Sequence, residues 1–136
     1  MAPAATPAPA AAGARPAIVL FAHGSRDPLW RAPIEAVAQR IRALAPHATV
    51  ACAYLEYTEP TLDAAVAQLA AGGATAITVW PMFLGTGRHA REDLPRLVDA
   101  LQEQYPAIAF SLQPAIAEHP EVLQAMAFAA LQDSHL

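Results

Sequence analysis

The stretch that decides the fold is Ala17-Ile18-Val19-Leu20-Phe21-Ala22, followed at once by His23-Gly24-Ser25-Arg26-Asp27. An unbroken apolar run closed by glycine and polar residues predicts a fully buried strand that ends in a loop. Strands buried on both faces belong to parallel sheets covered by crossover helices. Ligands of open parallel sheets bind outside the carboxyl ends of the strands, which is where His23 stands.

Working outward from this strand, the same unit recurs. Ile34, Val37, Ala38, Ile41 and Ala45 repeat at three- and four-residue steps, predicting a helix that starts near Arg31, tolerates Pro33 in its first turn and stops at Pro46. A second strand is expected over 49–55. The next helix is expected to be capped by Thr58 or Glu59, with Pro60 in its first turn, a stripe of Leu62, Val66, Leu69 and Ala70, and Gly72-Gly73 as its end. The third strand spans 76–80 and leads through Pro81-Met82-Phe83-Leu84 to a glycine-bracketed loop holding His89. Leu94, Leu97, Val98, Leu101 and Tyr105 mark a third helix, with Pro95 early and Pro106 as its stop. A fourth strand, 108–112, precedes a last helix from Pro120 to about Leu131 that is expected to bury Val122, Leu123, Met126 and Ala129.

Four strand–helix units of about 30 residues predict right-handed βαβ crossovers. The expected fold is α/β: a single three-layer domain with a four-stranded parallel sheet, order 2-1-3-4, and helices on both faces. That order puts the switch point between strands one and three, with His23 and His89 on neighbouring strand ends and Glu56 on the other side of strand one.

Composition narrows the function classes. The chain has 136 residues, 55% hydrophobic and 15% charged, with a net charge of −4. That supports one domain with a core and excludes a disordered chain. All eight basic side chains are arginines, and no basic stretch suggests nucleic acid. No run approaches the ~20 apolar residues of a membrane span. The single Cys52 excludes an internal disulfide, fits a reducing compartment and reads as an inert thiol in a strand. The low-complexity segment 1–15 lacks the pattern of a signal peptide and is expected to be a tail, leaving 16–133 as the domain.

The rim residues suggest chemistry. Two imidazoles and a carboxylate, His23, His89 and Glu56, make a borderline donor set for iron(II), cobalt(II), nickel(II) or zinc(II), and either histidine can serve as a base near neutrality. Glu56 reads equally as a loop carboxylate. Arg26, Arg31, Arg88 and Arg91 flank the two histidines and suit an anionic ligand, although a solvated basic rim explains them as well. Gly24, Gly85 and Gly87 permit sharp turns and the approach of a flat ligand, or are ordinary loop punctuation. Trp80, Met82, Phe83 and Leu84 form an apolar wall or core packing, and Trp30 has the stronger claim to exposure. His47 falls at the opposite rim, His119 one strand farther out, and His135 near the end.

Three motifs in order, Ala22-His23-Gly24-Ser25-Arg26-Asp27-Pro28, then Tyr54-Leu55-Glu56 before Glu59-Pro60, then Pro81-Met82-Phe83-Leu84-Gly85-Thr86-Gly87-Arg88-His89 with Asp93-Leu94-Pro95, resemble the sirohydrochlorin chelatase family, short cobaltochelatase type. The resemblance spans about 16–130. It implies a chelatase-like fold and a lyase that inserts cobalt, iron or nickel into sirohydrochlorin, in cobalamin or sirohaem biosynthesis. It also implies no cofactor beyond the divalent metal substrate, a cytoplasmic location and a homodimer that completes the cleft. By the resemblance, His23 and His89 are the metal-binding and proton-accepting pair and Glu56 assists; Ser25, Arg26, Arg88, Arg91, Phe83, Leu84 and Gly87 are expected to bind substrate. The competing readings are a tetrapyrrole or metal carrier and a phosphoryl-transfer enzyme. The latter is disfavoured because Ala22, not an arginine, precedes the histidine.

Overall fold

The computed structural model describes residues 13–132 and 134. Its elements are β1 (Pro16–Ala22), α1 (Ala32–Leu44), β2 (Thr49–Tyr54), α2 (Leu62–Ala71), β3 (Ala76–Pro81), α3 (Arg88–Gln104), β4 (Ala109–Leu112), a 3₁₀ turn (Ile116–Glu118) and α4 (Pro120–Gln132). The sheet runs β2-β1-β3-β4 and every pairing is parallel, as expected. Phe21 is registered with Ala53 on one side and Pro81 on the other, so three strands end together around His23.

Alternation along β1 divides its apolar side chains between two layers. Ala17, Val19 and Phe21 join Val66, Leu69, Ile77, Val79, Leu94, Val98 and Leu101 in the main core, beneath α2 and α3. Ile18 and Leu20 face the other way, toward α1, where Leu20, Ala38 and Val50 form a smaller buried cluster. Ile34, Val37 and Ile41 of the expected α1 stripe are half-buried, and Ala45 is exposed at the helix end.

Several sequence expectations need correction. The cap of α2 is Thr61, whose hydroxyl accepts from the Ala64 amide at 3.2 Å, not Thr58 or Glu59. The Tyr54 amide donates to the Pro60 carbonyl at 2.9 Å, and Tyr54 bridges Thr61, so the chain stays extended through Pro60. Helix α3 starts at Arg88, which makes Pro95 internal and puts His89 in the first turn instead of a loop. Leu94, Val98 and Leu101 bury there, whereas Leu97 stays 39% exposed. The last helix buries nothing: Leu123 is 52% and Met126 38% exposed, Ala129 is exposed, and Val122 is half-buried. Its main packing is on the 3₁₀ turn, so the expected stripe does not lie on the sheet.

Most of the expected tail lies outside the described residues, as do Asp133 and His135. Arg15, assigned to the tail from sequence, is fastened to the α2–β3 turn: its amide donates to Thr75 Oγ1 at 2.8 Å and its guanidinium to the Gly72 carbonyl at 3.3 Å.

Tyr54, at the end of β2, is 2% exposed, and its buried hydroxyl has no hydrogen-bond partner among the described residues. Trp30 meets its ring edge-on at 6.3 Å between centroids. Burial pushes the phenol pKa up to about 12. An unfolded phenol loses its proton near pH ~10, so the stability tied to neutral Tyr54 is complete below that pH and is lost as pH rises toward the folded value. Tyr54→Phe removes an unpartnered polar atom and this titration. Urea unfolding is expected to show the variant at least as stable as the parent at pH 7, and to lose less stability between neutral and strongly alkaline pH. A variant clearly weaker at pH 7 would show that the hydroxyl contributes to the native state.

Candidate active site

The carboxyl rim is a set of loops laced together through the backbone. Beyond the strand ends the ladder continues: Met82 N–H donates to the Phe21 carbonyl (2.7 Å), Leu55 N–H to Ala22 (2.9 Å) and Glu56 N–H to His23 (3.0 Å). His23 thus has its backbone held from the β2 side. Its ring, with the residue exposed, rests on Phe83 at 4.3 Å between centroids and 30° between planes. Phe83 is 4% exposed and belongs to the main core. It therefore supports the histidine from below and offers no open wall to a ligand, which corrects its assignment to substrate.

Gly24 follows with φ +93, and a Cβ there would sit 1.8 Å from the Glu56 carbonyl oxygen. Gly85 and Gly87 differ, since a Cβ at either meets nothing within 4 Å and neither has a positive φ. The expected need for glycine therefore holds at Gly24 alone. The next residues clasp the loops: Ser25 N–H donates to Thr58 Oγ1 (3.1 Å), whose hydroxyl donates to the Ser25 carbonyl (2.9 Å).

Between Glu56 and Thr58 the chain makes a three-residue turn, with Thr58 N–H on the Glu56 carbonyl at 2.8 Å and Tyr57 at φ 64. A bulky residue at positive φ is sterically costly and persists only when its surroundings enforce it. Here the turn presents Tyr57, 61% exposed, beneath Arg26, whose guanidinium carbon lies 4.6 Å from the ring centroid. Ser25, Arg26, Arg31, Tyr57 and Thr58 line part of a polar hollow of about 300 Å³. Sequence reasoning missed Tyr57 and Thr58, because neither a positive φ at tyrosine nor a loop-to-loop clasp leaves a local pattern.

The remaining candidates are placed as follows. His89 is exposed in the first turn of α3, reached from the end of β3, the strand adjoining β1. Arg88 pairs with Glu92 at 3.4 Å and Arg31 with Glu35 at 3.1 Å, both exposed i,i+4 pairs; Arg91 is exposed on α3. Leu84 is 81% exposed, and Leu29 (78%) and Leu55 (49%) add apolar surface to this rim that sequence did not single out. Trp80 and Met82 are half-buried in the α1-side layer. His119 lies beyond β4 with its ring centroid 6.2 Å from that of Trp80, and its Nδ1 accepts from Glu121 N–H at 3.2 Å. His47 lines a hollow of about 600 Å³ at the opposite rim, away from His23 and His89. Burial raises the Cys52 pKa, as an inert thiol requires.

Among the described residues, no three His, Cys, Asp or Glu side chains are grouped closely enough to hold a metal. His23, Glu56 and His89 thus share a rim without forming a closed three-ligand set. The topology gives the reason: Glu56 follows β2 and His89 follows β3, on opposite sides of β1, and two strand spacings amount to roughly 10 Å.

Comparison with known proteins decides the family. The CbiX family model matches residues 17–132, from the first strand to the end of α4. The chain belongs to the CbiX family.

The sirohydrochlorin cobaltochelatase of Methanopyrus kandleri is 37% identical over 82 residues, 60% of this chain and 57% of the relative. That of Saccharolobus solfataricus is 36% identical over 81 residues, 60% of this chain and 62% of the relative. These matches thus span less than two thirds of the relatives' length. Among solved structures, the CbiX protein of Marinobacter aquaeolei VT8 superposes with a TM-score of 0.75 at 30% identity, covering 87% of this CbiX-family chain and 96% of that one. The sirohydrochlorin chelatase SirB from Bacillus subtilis subspecies spizizenii, in complex with cobalt, gives 0.73 at 28% identity, covering 88% of this chain and 51% of that one.

Proposed function

We propose that this chain inserts a divalent metal into sirohydrochlorin, with cobalt(II) the first candidate and iron(II) or nickel(II) the next. The observation that carries the proposal is that His23, just past the end of β1, and His89, in the first turn of the helix that follows the adjoining β3, stand on one rim, in a chain whose relatives are named sirohydrochlorin cobaltochelatases. A metal-bound structure of a chelatase with this fold supports it.

Insertion requires delivery of a dication and removal of two inner N–H protons from the macrocycle. A neutral imidazole accepts a proton or donates a lone pair to the metal, and the rim has two, His23 and His89. Glu56 assists with its carboxylate from the far side of β1. Ser25, Arg26, Arg88 and Arg91 meet the substrate carboxylates, while Leu84 and Gly87 border its ring. The chain needs no cofactor beyond its metal substrate and works as a cytoplasmic homodimer in cobalamin or sirohaem biosynthesis, without nucleic-acid or membrane partners. Among the described residues, no helix is long and apolar enough to cross a membrane.

The test follows the absorbance change of sirohydrochlorin on metallation, with and without the purified chain, for each of the three metals. Acceleration above the uncatalysed rate is expected with at least one. Tight binding of tetrapyrrole or metal without acceleration would establish the carrier instead.

Arg26 permits a finer prediction. Stacking on Tyr57 holds its guanidinium at the hollow, and such exposed cation–π contacts contribute about 0.5–1 kcal/mol. Arg26→Gln is expected to raise KM for sirohydrochlorin several-fold with little change in kcat. Tyr57→Leu is expected to raise it by a smaller factor, about 2- to 5-fold. Steady-state kinetics at fixed metal concentration measures both; an unchanged KM in Arg26→Gln would remove this residue from the substrate site.

A further inference from the structure

Two short segments of the carboxyl rim, 23–25 after β1 and 56–58 after β2, touch along their whole length. At the inner end the Glu56 amide donates to the His23 carbonyl at 3.0 Å. In the middle, Gly24 lies so close to the Glu56 carbonyl that no side-chain carbon fits between them. At the outer end the Thr58 hydroxyl accepts from the Ser25 amide at 3.1 Å and donates to the Ser25 carbonyl at 2.9 Å. The Thr58 amide turns back to the Glu56 carbonyl at 2.8 Å, which closes a ring through His23, Ser25, Thr58 and Glu56.

The inner contact is backbone pairing that continues the sheet ladder, so its chemistry is open to most residues. The outer contact depends on one side chain. A hydroxyl is donor and acceptor at once, and Thr58 commits both to a single residue, as a paired strand would. Serine shares that capacity; valine, of nearly the same shape, has neither half of it. The hydroxyl of Ser25 cannot substitute, because it already accepts from the Asp27 amide at 3.0 Å.

We propose that Thr58 is a positioning residue for His23. The inference rests on the functional reading above and adds what keeps the base in place. Phe83 supports the His23 ring from below, whereas the backbone that aims it is fixed through Glu56, and Glu56 in turn through Thr58. Without the hydroxyl, the turn that holds Tyr57 at φ 64 loses its hold on Ser25 and relaxes, drawing Glu56 from the His23 carbonyl.

Thr58→Val keeps the side-chain shape and is expected to leave far-ultraviolet circular dichroism unchanged. Misplacing a reacting group by about 1 Å can cost about 10²-fold, and kcat for metal insertion is expected to fall by about 10- to 100-fold. KM for sirohydrochlorin is expected to change less, because Arg26 and Tyr57 beyond the clasp keep their own stack. Thr58→Ser is expected to restore most of the rate. Parental kcat in Thr58→Val, equal losses in the valine and serine variants, or a loss confined to KM would each overturn the proposal. Added to His23→Ala, Thr58→Val is expected to cost little more than His23→Ala alone, since nothing is left to position. Losses that multiply would show Thr58 acting apart from His23 and would also overturn it.

Placement is read without any turnover from the His23 ring resonance, identified by its loss in His23→Ala and shifted by the Phe83 ring beneath it. It is expected to move in Thr58→Val and to return in Thr58→Ser; an unmoved resonance would overturn the proposal. Thr58→Ala, which removes the hydroxyl without setting a methyl group against Ser25, gives the same reading if valine disturbs the loop. A parent that fails to metallate would end the functional reading, while the resonance still decides whether Thr58 places the ring.

Discussion

Gly24→Ala is expected to destabilise the protein by on the order of 3 kcal/mol or more and to abolish metallation activity, although glycine to alanine is the smallest side-chain addition available. Two costs combine. The position has φ +93, which an L-residue with a Cβ adopts only under strain, and the new carbon would lie 1.8 Å from the Glu56 carbonyl oxygen. The neighbouring backbone cannot yield freely, because that carbonyl also accepts the Thr58 amide and Glu56 N–H is bonded to His23. Relief of the clash therefore separates the β1 and β2 loops, displacing His23 and Glu56 together. Gly85→Ala and Gly87→Ala are the controls. With open space at the Cβ and no positive φ, each is expected to stay within about 1 kcal/mol of the parent. Urea unfolding of the three variants, with the metallation rate of each, measures the contrast; a Gly24→Ala protein of parental stability would refute this account of the rim.

The second large effect is expected at His23. His23→Ala removes an exposed ring that rests on Phe83, so the core beneath stays filled and the fold is expected to survive. A positioned base contributes typically 10²–10⁴-fold to rate, and kcat for metal insertion is expected to fall by about 10²-fold or more, with a smaller change in KM for sirohydrochlorin. His89→Ala, from the first turn of α3, is expected to act in the same direction. Stopped-flow absorbance with saturating metal separates the two parameters. Full rates in both variants would refute the site assignment and leave the family membership standing. Phe83→Ala tests the support: it opens a core cavity and frees the His23 ring, so it is expected to cost about 3 kcal/mol or more in stability and also to lower kcat.

Much of this architecture is legible in local patterns, for a physical reason. A central parallel strand has apolar neighbours on both faces, so it reads as an unbroken apolar run, and Ala17–Ala22 announces itself. Crossover handedness then leaves few strand orders, among them the observed 2-1-3-4 with the rim that bears His23 and His89. Errors arise where a distant partner overrides a local preference. Thr58 has the chemistry of a helix cap, but its hydroxyl is committed to Ser25, 33 residues away, and Thr61 caps instead. Phe83 has the chemistry of a ligand wall, but it is drawn into the core under His23. The apolar stripe of α4 signals burial without specifying against what, and among the described residues nothing buries it.

The sequence by itself determined the alternation of strands and helices and the presence of two histidines after strands of a parallel sheet, because each depends on local spacing and on the fixed hand of parallel crossovers. Only the tertiary structure decided how that rim is held. The contact of Gly24 with Glu56, the left-handed Tyr57 beneath Arg26 and the seat of His23 on Phe83 join residues from separate βα units. Interactions between such units follow from packing, which leaves no mark on the spacing of residues within either one.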